Sequence, residues 1–406
     1  MKIIYIHQYF RTPEEGGATR SYYLAKGLAE AGHEVEVISG GGEKYDLKRM
    51  NGFTVHYLPV SYTQEFGFIR RIFAFLSFVR LAKNLLRKLP RADLFYISST
   101  PLTTGWIGLW AKKKFAVPYI FEVRDLWPEA PIQVGVIRHP LLINYLKRQE
   151  KRIYENALQL VGLSPGMVNH IHQTCPEQSV HLIPNFSNPE TFFPQEKRDD
   201  VLKKYGLEKQ LTIAYTGAIG RVNAVEELLD FADYAQAEGK AWQFLIMGAG
   251  SEKESLERMA EERGLSRVHF IPFGSKAKVN EVLGMADFAW ISFADLPVLS
   301  TNSPNKFFDA LAAGKAILIN HKGWVHRLVK QNELGFSVFH RKWEKLYLKL
   351  EEVECDPKRL QAMQQNALKL SRQFFTHQIA VERLLYILEP EKYPLTPARE
   401  AYIRIA

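Results

Sequence analysis

Lys306 and Asp309 stand near the start of one predicted helix and are residue types that a nucleotide site needs. Ser303 and Pro304 favour a helix start, with Ser303 as the cap and Pro304 at the first helical position. Lys306 then lies in the first turn, where the helix dipole disfavours a cation unless an anion is also bound. A diphosphate shared between Lys306 and the free backbone amides of the helix start would remove this conflict. The Asp309 carboxylate could accept hydrogen bonds from ribose hydroxyls. The alternative is an exposed lysine and a surface aspartate.

Glycine-rich turns follow three predicted strands, and a second cation lies in one of them. Gly16 and Gly17 follow the first strand of the chain, whereas Gly217 and Gly248 follow strands of the second half. Backbone amides can approach a phosphate at such turns, because glycine has no Cβ and a helix N-terminus is positive. Arg221, in the loop after Gly217, could bind a phosphate through two parallel hydrogen bonds. Plain tight turns and a solvated arginine are the alternatives.

Asp125 is the candidate acid or base of the first half. It follows a predicted strand at 119–123, so its carboxylate should lie at the carboxyl edge of a sheet. There it could act as a base toward an acceptor or position a sugar. Pairing with Arg124, or capping the turn at Trp127 and Pro128, is the open alternative.

Apolar runs alternate with amphipathic segments of helical length, which predicts an α/β fold with two mostly parallel, doubly wound sheets. In the first half the predicted strands are 2–7, 34–39, 53–59, 93–98, 119–123 and 158–163; in the second they are 211–216, 242–247, 268–272, 288–292 and 316–320. The stretch 184–194 is rich in Pro and Asn and predicts a linker. We predict a first domain over 1–187, a second over 188–375, and a C-terminal helix and tail over 376–406 that pack back on the first domain.

The composition is that of a folded chain with an anionic partner. The 406 residues exceed what one core usually organises, and 46% are hydrophobic and 24% charged. Two cysteines, far apart in sequence, indicate neither a disulfide framework nor a zinc site and favour a cytoplasmic location. The net charge of +9 favours a phosphorylated substrate or an anionic membrane, since no nucleic-acid module is recognisable. Twelve histidines show no metal-ligand spacing, so we predict neither metal nor cofactor.

Residues 66–88 form an aromatic and basic segment without a single acidic residue. Such a helix can lie on an anionic membrane surface with its apolar side between the headgroups. A helix packed on the sheet, with its basic face in solvent, fits the same pattern. No apolar run approaches the ~20 residues that a membrane-spanning helix needs, so any membrane contact would be peripheral.

Three motifs, in this order, resemble glycosyltransferase family 4. They are Gly16-Gly17 after the first strand, FEVRDLWPE at 121–129, and the segment from SPNK to AAGK at 303–315. The similarity covers nearly the whole chain and is greatest to the bacterial O-antigen and capsule enzymes of the N-acetylfucosamine transferase-like branch. It implies a GT-B architecture, in which two Rossmann-like domains face each other across a cleft. The second domain would hold the nucleotide sugar and the first the acceptor.

The resemblance also implies roles for individual residues. Arg221 and Lys306 would neutralise the leaving diphosphate in place of a metal, and Asp125 would complete the catalytic set. Gly17 would add backbone donors from the opposing domain. The donor site as a whole would comprise Gly16, Gly17, Gly217, Gly248, Phe273, Thr301, Asn302, Ser303, Asn305 and Asp309.

The sequence departs from the family pattern at three places. The usual pair of glutamates, with seven residues between them, is Thr301 and Asp309 here, which keeps the ribose contact but leaves the sugar-hydroxyl contact of the first glutamate unassigned. A lysine common in the loop after Gly217 is replaced by Asn223. A histidine common after the strand at 119–123 is replaced by Arg124 and Asp125.

The predicted function is therefore retaining transfer of a hexosyl-type group from a nucleotide sugar, with UDP favoured. The acceptor would be a glycan or a polyprenyl-diphosphate-linked glycan of cell-surface polysaccharide synthesis. A nucleotide-sugar epimerase on the same fold is one alternative, although no suitable acid and base set can be assembled around the sugar. A catalytically silent nucleotide-sugar-binding protein is the other.

Overall fold

A computed structural model describes residues 1–61 and 66–395 of the chain. The strands in these residues are β1 Lys2–Ile6, β2 Glu34–Gly40, β3 Asp46–Met50, β4 Phe53–Leu58, β5 Leu94–Ser98, β6 Tyr119–Val123, β7 Gln159–Gly162, β8 Val180–Leu182, β9 Thr212–Thr216, β10 Gln243–Met247, β11 Val268–Ile271, β12 Phe288–Ile291, β13 Ala316–Ile319 and β14 Gly335–Ser337. The helices are α1 Arg20–Glu30, α2 Phe68–Leu86, α3 Gly105–Phe115, α4 Glu129–Gln133, α5 Pro140–Asn156, α6 Pro165–Thr174, α7 Asp199–Lys204, α8 Glu226–Ala237, α9 Lys253–Glu262, α10 Lys276–Gly284, α11 Asn305–Ala312, α12 Trp324–Gln331, α13 Trp343–Cys355, α14 Pro357–Phe374 and α15 His377–Leu388.

These elements form two separate sheets. Over the described residues, the first has eight strands in the order β3-β4-β2-β1-β5-β6-β7-β8, and the second has six in the order β11-β10-β9-β12-β13-β14. All pairings are parallel except that of β3 with β4. Helices cover both faces of each sheet, because fully buried parallel strands are apolar on both sides. The predicted α/β class with two doubly wound sheets is confirmed.

The order of the strands reverses at one place in each sheet. β1 pairs with β2 on one side and with β5 on the other, and β9 lies between β10 and β12 in the same way. Ligands of open α/β sheets bind at the carboxyl ends of the strands beside such a reversal. The residues just after β1, β5, β9 and β12 are therefore the positions at which the fold offers a site.

Every predicted strand is present, shifted by at most one residue at either end. Three further strands were not predicted. β3 reads DLKRM and is almost fully exposed at the sheet edge, whereas β8 and β14 have three residues each. Asn51 and Gly52, both with positive φ, form the turn between β3 and β4, and this Asn-Gly pair is the hairpin signal that could have revealed β3.

The chain crosses back from the second sheet to the first near its end. α14 packs on α11, and α15 packs on α1, where Leu384 and Ala380 join the core around Leu24. The chain passes from the first sheet to the second after β8 and returns after α14. Ser187 and Thr376, one on each passage, form a parallel β-bridge. The domain boundaries at 187/188 and 375/376 stay predictions, and tail residues 396–406 lie outside the described residues. Among the helices that the structure describes, none is long and apolar enough to cross a membrane.

Candidate active site

Lys306 lies at the strand reversal of the second sheet. Its Nζ donates to the Tyr215 hydroxyl at 3.0 Å and to the Ser292 carbonyl oxygen at 3.3 Å. The Tyr215 hydroxyl in turn donates to the Ala218 carbonyl, so its oxygen is free to accept from the lysine. Burial lowers the pKa of Lys306 to about 7. No carboxylate among the described residues contacts its ammonium, so this cation lacks a counter-charge of its own.

The loop after β9 brings Gly217 and Arg221 to the same place. A Cβ at Gly217, whose φ is +158°, would lie 3.6 Å from Cδ of Lys306. Arg221 is the first residue of a short 3₁₀ turn. The Ser292 hydroxyl donates to the Asn223 carbonyl oxygen of this turn at 2.6 Å. The Arg221 side chain is exposed, and within the described ranges it has no ion-pair partner. Arg221 thus follows β9, and Nζ of Lys306 lies beside Ser292, directly after β12; their shared role on a diphosphate stays a prediction.

Gly248 has a packing role beside this loop. A Cβ at this position would lie 1.9 Å from the Gly217 carbonyl oxygen, so only glycine lets the two turns approach. The Gly217 amide donates to Met247 O at 2.9 Å, which fixes the turn. The glycine is explained by this close approach, and its predicted contact with the donor stays a prediction.

The start of α11 differs from the prediction. Pro304 is the cap residue rather than the first helical residue, and Ser303 does not cap the helix. The Ser303 hydroxyl instead accepts from the Asn185 amide at 3.1 Å, and its carbonyl accepts from the Asn185 side chain at 2.6 Å. The Ser303 hydroxyl therefore serves a contact between the domains, whereas the local sequence predicts that it caps the helix. Lys306 still lies in the first turn.

Asp309 is buried between the two domains. Its Oδ2 accepts from Lys276 Nζ at 2.7 Å, and its Oδ1 accepts from the Ser187 hydroxyl at 3.1 Å. Asn305 lines the same narrow space, next to Thr19 and Arg20 of the first domain. A ribose could reach this carboxylate only by sharing it with Lys276, so the predicted ribose contact needs a test of its own.

Thr301 and Asn302 are held by neighbours in the structure. The Thr301 hydroxyl donates to Val298 O at 2.7 Å, and its backbone oxygen accepts from Ser164 of the first domain. A Cβ at Gly166 would lie 2.8 Å from Cγ2 of Thr301. The Asn302 carbonyl accepts from the Trp324 indole at 2.7 Å. Thr301 therefore lies at the junction between the domains, whereas Asn302 is held within the second domain, and the contact of either residue with the donor stays a prediction.

Gly16 and Phe273 meet across the cleft. A Cβ at Gly16 would lie 3.0 Å from the Gly274 carbonyl oxygen and 3.6 Å from Cζ of Phe273. Gly16 and Gly17 both have positive φ, +71° and +79°, a conformation that glycine adopts without strain. Phe273 remains 55% exposed. The glycine turn of the first domain thus faces the second domain, and the contact of these residues with the donor stays a prediction.

The carboxyl edge of the first sheet encloses a cavity of about 910 Å³. Asp125 lies in its wall and accepts from the Thr100 hydroxyl at 2.9 Å. Thr100 has φ +77°, a strained conformation for a β-branched residue, and this conformation accompanies the hydrogen bond to Asp125. Burial raises the pKa of Asp125, while the hydrogen bond from Thr100 and the charge of Arg124 oppose the rise. Asp125 bonds to Thr100 rather than pairing with Arg124.

His7 and Arg124 form a second polar pair in this cavity, and sequence reasoning did not select either as a site residue. Arg124 Nη1 lies 2.9 Å from Nε2 of His7, and Nδ1 of His7 lies 2.7 Å from the Ser21 hydroxyl. Burial, with the charges of Arg124 and Arg20, holds the pKa of His7 well below its usual range. Only its position could have indicated that His7 is a site residue, because it directly follows β1, where the strand order reverses.

The potential metal ligands of residues 1–61 and 66–395 do not gather into a cluster. No group of three His, Cys, Asp or Glu side chains in these ranges is close enough to hold a metal ion. On the donor side, Lys306 and Arg221 carry positive charges, which suit a phosphate rather than a metal ion.

Two family models match successive parts of the chain. The model of the glycosyl transferase 4-like domain matches residues 15–185, and that of glycosyl transferases group 1 matches residues 197–370. The putative colanic acid biosynthesis glycosyl transferase WcaI of Escherichia coli K12 is 25% identical over 288 residues, which are 65% of this chain and 70% of that protein.

Solved structures share the fold at low sequence identity. Sucrose-phosphate synthase from Thermosynechococcus elongatus has a TM-score of 0.78 at 17% identity, covering 96% of this chain and 99% of that one. The Anabaena protein HepE, in complex with UDP-glucose, has a TM-score of 0.71 at 15% identity, covering 96% of this chain and 100% of the other. The arrangement of two facing domains is therefore common to all three.

Proposed function

This chain belongs to the glycosyltransferases of the GT-B fold, and from that membership we propose that it is a retaining, metal-independent transferase that uses a UDP-sugar. Its acceptor would be a glycan of cell-surface polysaccharide synthesis. The complex of HepE with UDP-glucose supports a UDP-sugar as the donor. The description of WcaI as a putative colanic acid biosynthesis glycosyl transferase supports polysaccharide synthesis.

The uncompensated charge of Lys306 carries this proposal. A lysine without a carboxylate, at a strand reversal and beside a glycine turn, is suited to receive an anion. Arg221 follows Gly217 in the loop after β9, and a Cβ at Gly16 of the first domain would meet Gly274 and Phe273 of the second, so both could contribute to the same anion site. As the sugar leaves, negative charge develops on the diphosphate, and preorganised cations and amides stabilise it without a metal.

The first test is a thermal-shift screen against UDP, GDP, dTDP and ADP, each with and without EDTA. A ligand that binds only the folded state raises its apparent stability. We expect a shift with UDP that EDTA does not change. Lys306→Met should remove the shift, whereas Lys209→Met, at an exposed lysine of the same domain, should preserve it. A UDP shift that disappears with EDTA would contradict metal independence, and no shift with any nucleotide would contradict a nucleotide-sugar site.

Stereochemistry is tested on the product. Transfer to a soluble acceptor, followed by proton NMR at early times, gives the anomeric configuration of the new linkage. We expect the configuration of the donor. The opposite configuration would exclude retention, and release of an isomerised nucleotide sugar would favour the epimerase.

We further propose that the first domain rests on the anionic, cytoplasmic face of a membrane. One face of α2 packs into the core through Phe78 and Val79, while Phe73 and Leu76 on the other face are 66% and 45% exposed. α2 contains no acidic residue. Leu141, at the start of α5, is 74% exposed.

The exposed face of α2 and the start of α5 are connected through Trp127 and α4. The Phe75 ring on α2 lies 6.3 Å from that of Trp127, and Trp127 leads into α4, whose Glu129 lies 3.6 Å from Nζ of Lys147 on α5. Apolar side chains flanked by basic ones match an anionic bilayer surface.

Vesicle sedimentation tests this contact. We expect binding to phosphatidylglycerol vesicles but not to phosphatidylcholine vesicles, and loss of binding in the double variant Phe73→Ser/Leu76→Ser. Leu348→Ser is the control, because Leu348 is 50% exposed but lies in the second domain. Equal binding by the double variant and the control would exclude α2 as the contact.

A further inference from the structure

Arg124 is a charged side chain that the protein holds without neutralising it. Its Nη1 lies 2.9 Å from His7 Nε2, and its backbone amide donates to the Ser99 hydroxyl at 2.8 Å. Within the described residues no carboxylate forms an ion pair with its guanidinium. Arg20 is the contrast, since it lies 2.8 Å from Glu122 and donates to the carbonyls of Ile183 and Pro184.

The hydrogen-bond chain fixes the protonation of His7. An arginine has donors only, so His7 Nε2 must accept from Arg124. The imidazole is then neutral and carries its proton on Nδ1, which donates to the Ser21 hydroxyl. The neutral ring orients the guanidinium without cancelling its positive charge, which also acts on the neighbouring Asp125.

The surrounding cavity is rich in further cations. Arg11 and Lys44 line it, and among the described residues neither forms an ion pair. Of the acids in the wall, Asp46 lies 3.7 Å from Lys48, and Glu15 accepts from the Thr12 amide at 2.9 Å but keeps its charge. The basic side chains of the lining still outnumber the acidic ones, with Arg11, Lys44, Lys48 and Arg124 against Glu15, Asp46 and Asp125. Asp125 follows Arg124 directly and lines the same cavity, so an anion on Arg124 would lie beside the predicted base.

We infer that the acceptor carries an anionic group, a phosphate or a carboxylate, close to the reacting hydroxyl, and that Arg124 binds it. His7 is the positioning residue for Arg124. This inference rests on the proposed function, because it assigns the cavity to the acceptor. A planar guanidinium matches either anion through two parallel hydrogen bonds.

Ligand-observed NMR on the UDP-saturated protein tests the inference, because saturating UDP keeps phosphate probes out of the donor site. The probes are glucose 1-phosphate, glucuronic acid and glucose. We expect one anionic probe to bind about 10–100-fold more tightly than glucose, the range for a charge-assisted hydrogen bond. Preference for glucose 1-phosphate would identify a phosphate, and preference for glucuronic acid would identify a carboxylate.

Variants of the pair give the decisive comparison. Arg124→Gln should abolish the preference for the anionic probe, and Arg124→Lys should restore only part of it. His7→Leu should weaken the preference, and His7→Gln, which places an acceptor near the position of Nε2, should rescue it. An unchanged preference in Arg124→Gln, or no preference in the wild-type protein, would overturn the inference.

UDP binding separates this inference from the proposed function. If wild-type protein fails to bind UDP, the proposed function fails. If UDP binds normally to Arg124→Gln while the anion preference is lost, both stand. If Arg124→Gln loses UDP affinity to the same extent as anion affinity, Arg124 belongs to the donor site and the inference is wrong.

Discussion

The ammonium of Lys306 lies 4.3 Å from the centre of the Tyr215 ring and 4.6 Å from that of Phe293. Aromatic faces attract a cation but do not neutralise it. Burial lowers the pKa of this lysine to about 7, so near neutral pH a large fraction of it is uncharged. A diphosphate beside it would raise the pKa, because an opposite charge favours the ammonium form.

UDP binding is therefore expected to take up protons. At pH 8 the free protein would have Lys306 mostly uncharged, so binding should consume roughly 0.9 proton if the bound pKa is well above 8. Affinity should fall up to about tenfold for each pH unit above 7. Calorimetry in buffers of different ionisation enthalpy measures the uptake, and Lys306→Met should show none of it. A wild-type affinity that is constant from pH 7 to pH 9 would contradict this role.

Lys306→Met should separate stability from activity. Because the lysine pKa is lower in the folded state, the unfolded chain binds more protons between about pH 7 and the ordinary value of 10.5. The free energy of unfolding of the wild type should therefore rise with pH in this window, by up to ~1.4 kcal/mol per unit from this group.

The measurement for this variant is urea unfolding at pH 7 and pH 9. Lys306→Met should be at least as stable as the wild type at pH 7, and its free energy of unfolding should rise less between pH 7 and pH 9. The variant should also lose turnover. Lys315, whose pKa burial lowers to about 8, contributes in the same direction in both proteins and cancels from the comparison. Loss of stability that parallels the loss of turnover would argue against a role on the diphosphate.

The hydrogen bond from Thr100 to Asp125 should set the acid limb of the pH–rate profile. A base must be deprotonated to act, and burial raises the pKa of Asp125 while the Thr100 hydroxyl holds it down. Thr100→Val should therefore move the acid limb to higher pH, and Thr100→Ser, which keeps a hydroxyl, should leave it near the wild-type position. Asp125→Asn should lose most activity. An identical acid limb in the Val and Ser variants would show that Asp125 is not the titrating base.

Gly16→Ala and Gly32→Ala form a matched pair for the contact across the cleft. Both glycines have positive φ, +71° and +90°, but a Cβ at Gly32 meets nothing within 4 Å, whereas one at Gly16 meets the Gly274 carbonyl oxygen. Each variant should lose about 1–2 kcal/mol of stability from the backbone conformation. Only Gly16→Ala should raise the KM for the donor, because only this Cβ obstructs the approach of the domains. Equal KM values would exclude a contribution of this contact to donor binding.

The sequence predicts the sheets well because their strands are buried runs of apolar residues, whose character is local. β3 escapes this pattern because its residues are polar and exposed. Lys306, Arg221 and Asp125 could be selected because each lies beside a predicted strand end or helix start. Ser303 shows the limit, since a local rule makes it a cap, whereas Asn185, 118 residues away, takes its hydroxyl. His7 and Lys276 act through partners distant in sequence, and no local pattern reveals those partners.

Asp309 and Lys276 provide the last prediction, because the ribose role of Asp309 must be separated from its buried ion pair. Each carboxylate oxygen can accept a second hydrogen bond, so a ribose hydroxyl can bind while Lys276 stays in place. Asp309→Asn and Lys276→Met both break the pair, and each should cost about 3–5 kcal/mol of stability, as expected when one partner of a buried pair is removed. Only Asp309→Asn removes the charged acceptor of the ribose. The wild type and Lys276→Met should bind UDP about tenfold more tightly than 2′-deoxy-UDP, whereas Asp309→Asn should bind the two nucleotides equally. If the ratio of the two affinities falls by the same factor in both variants, Asp309 serves the domain junction and not the ribose.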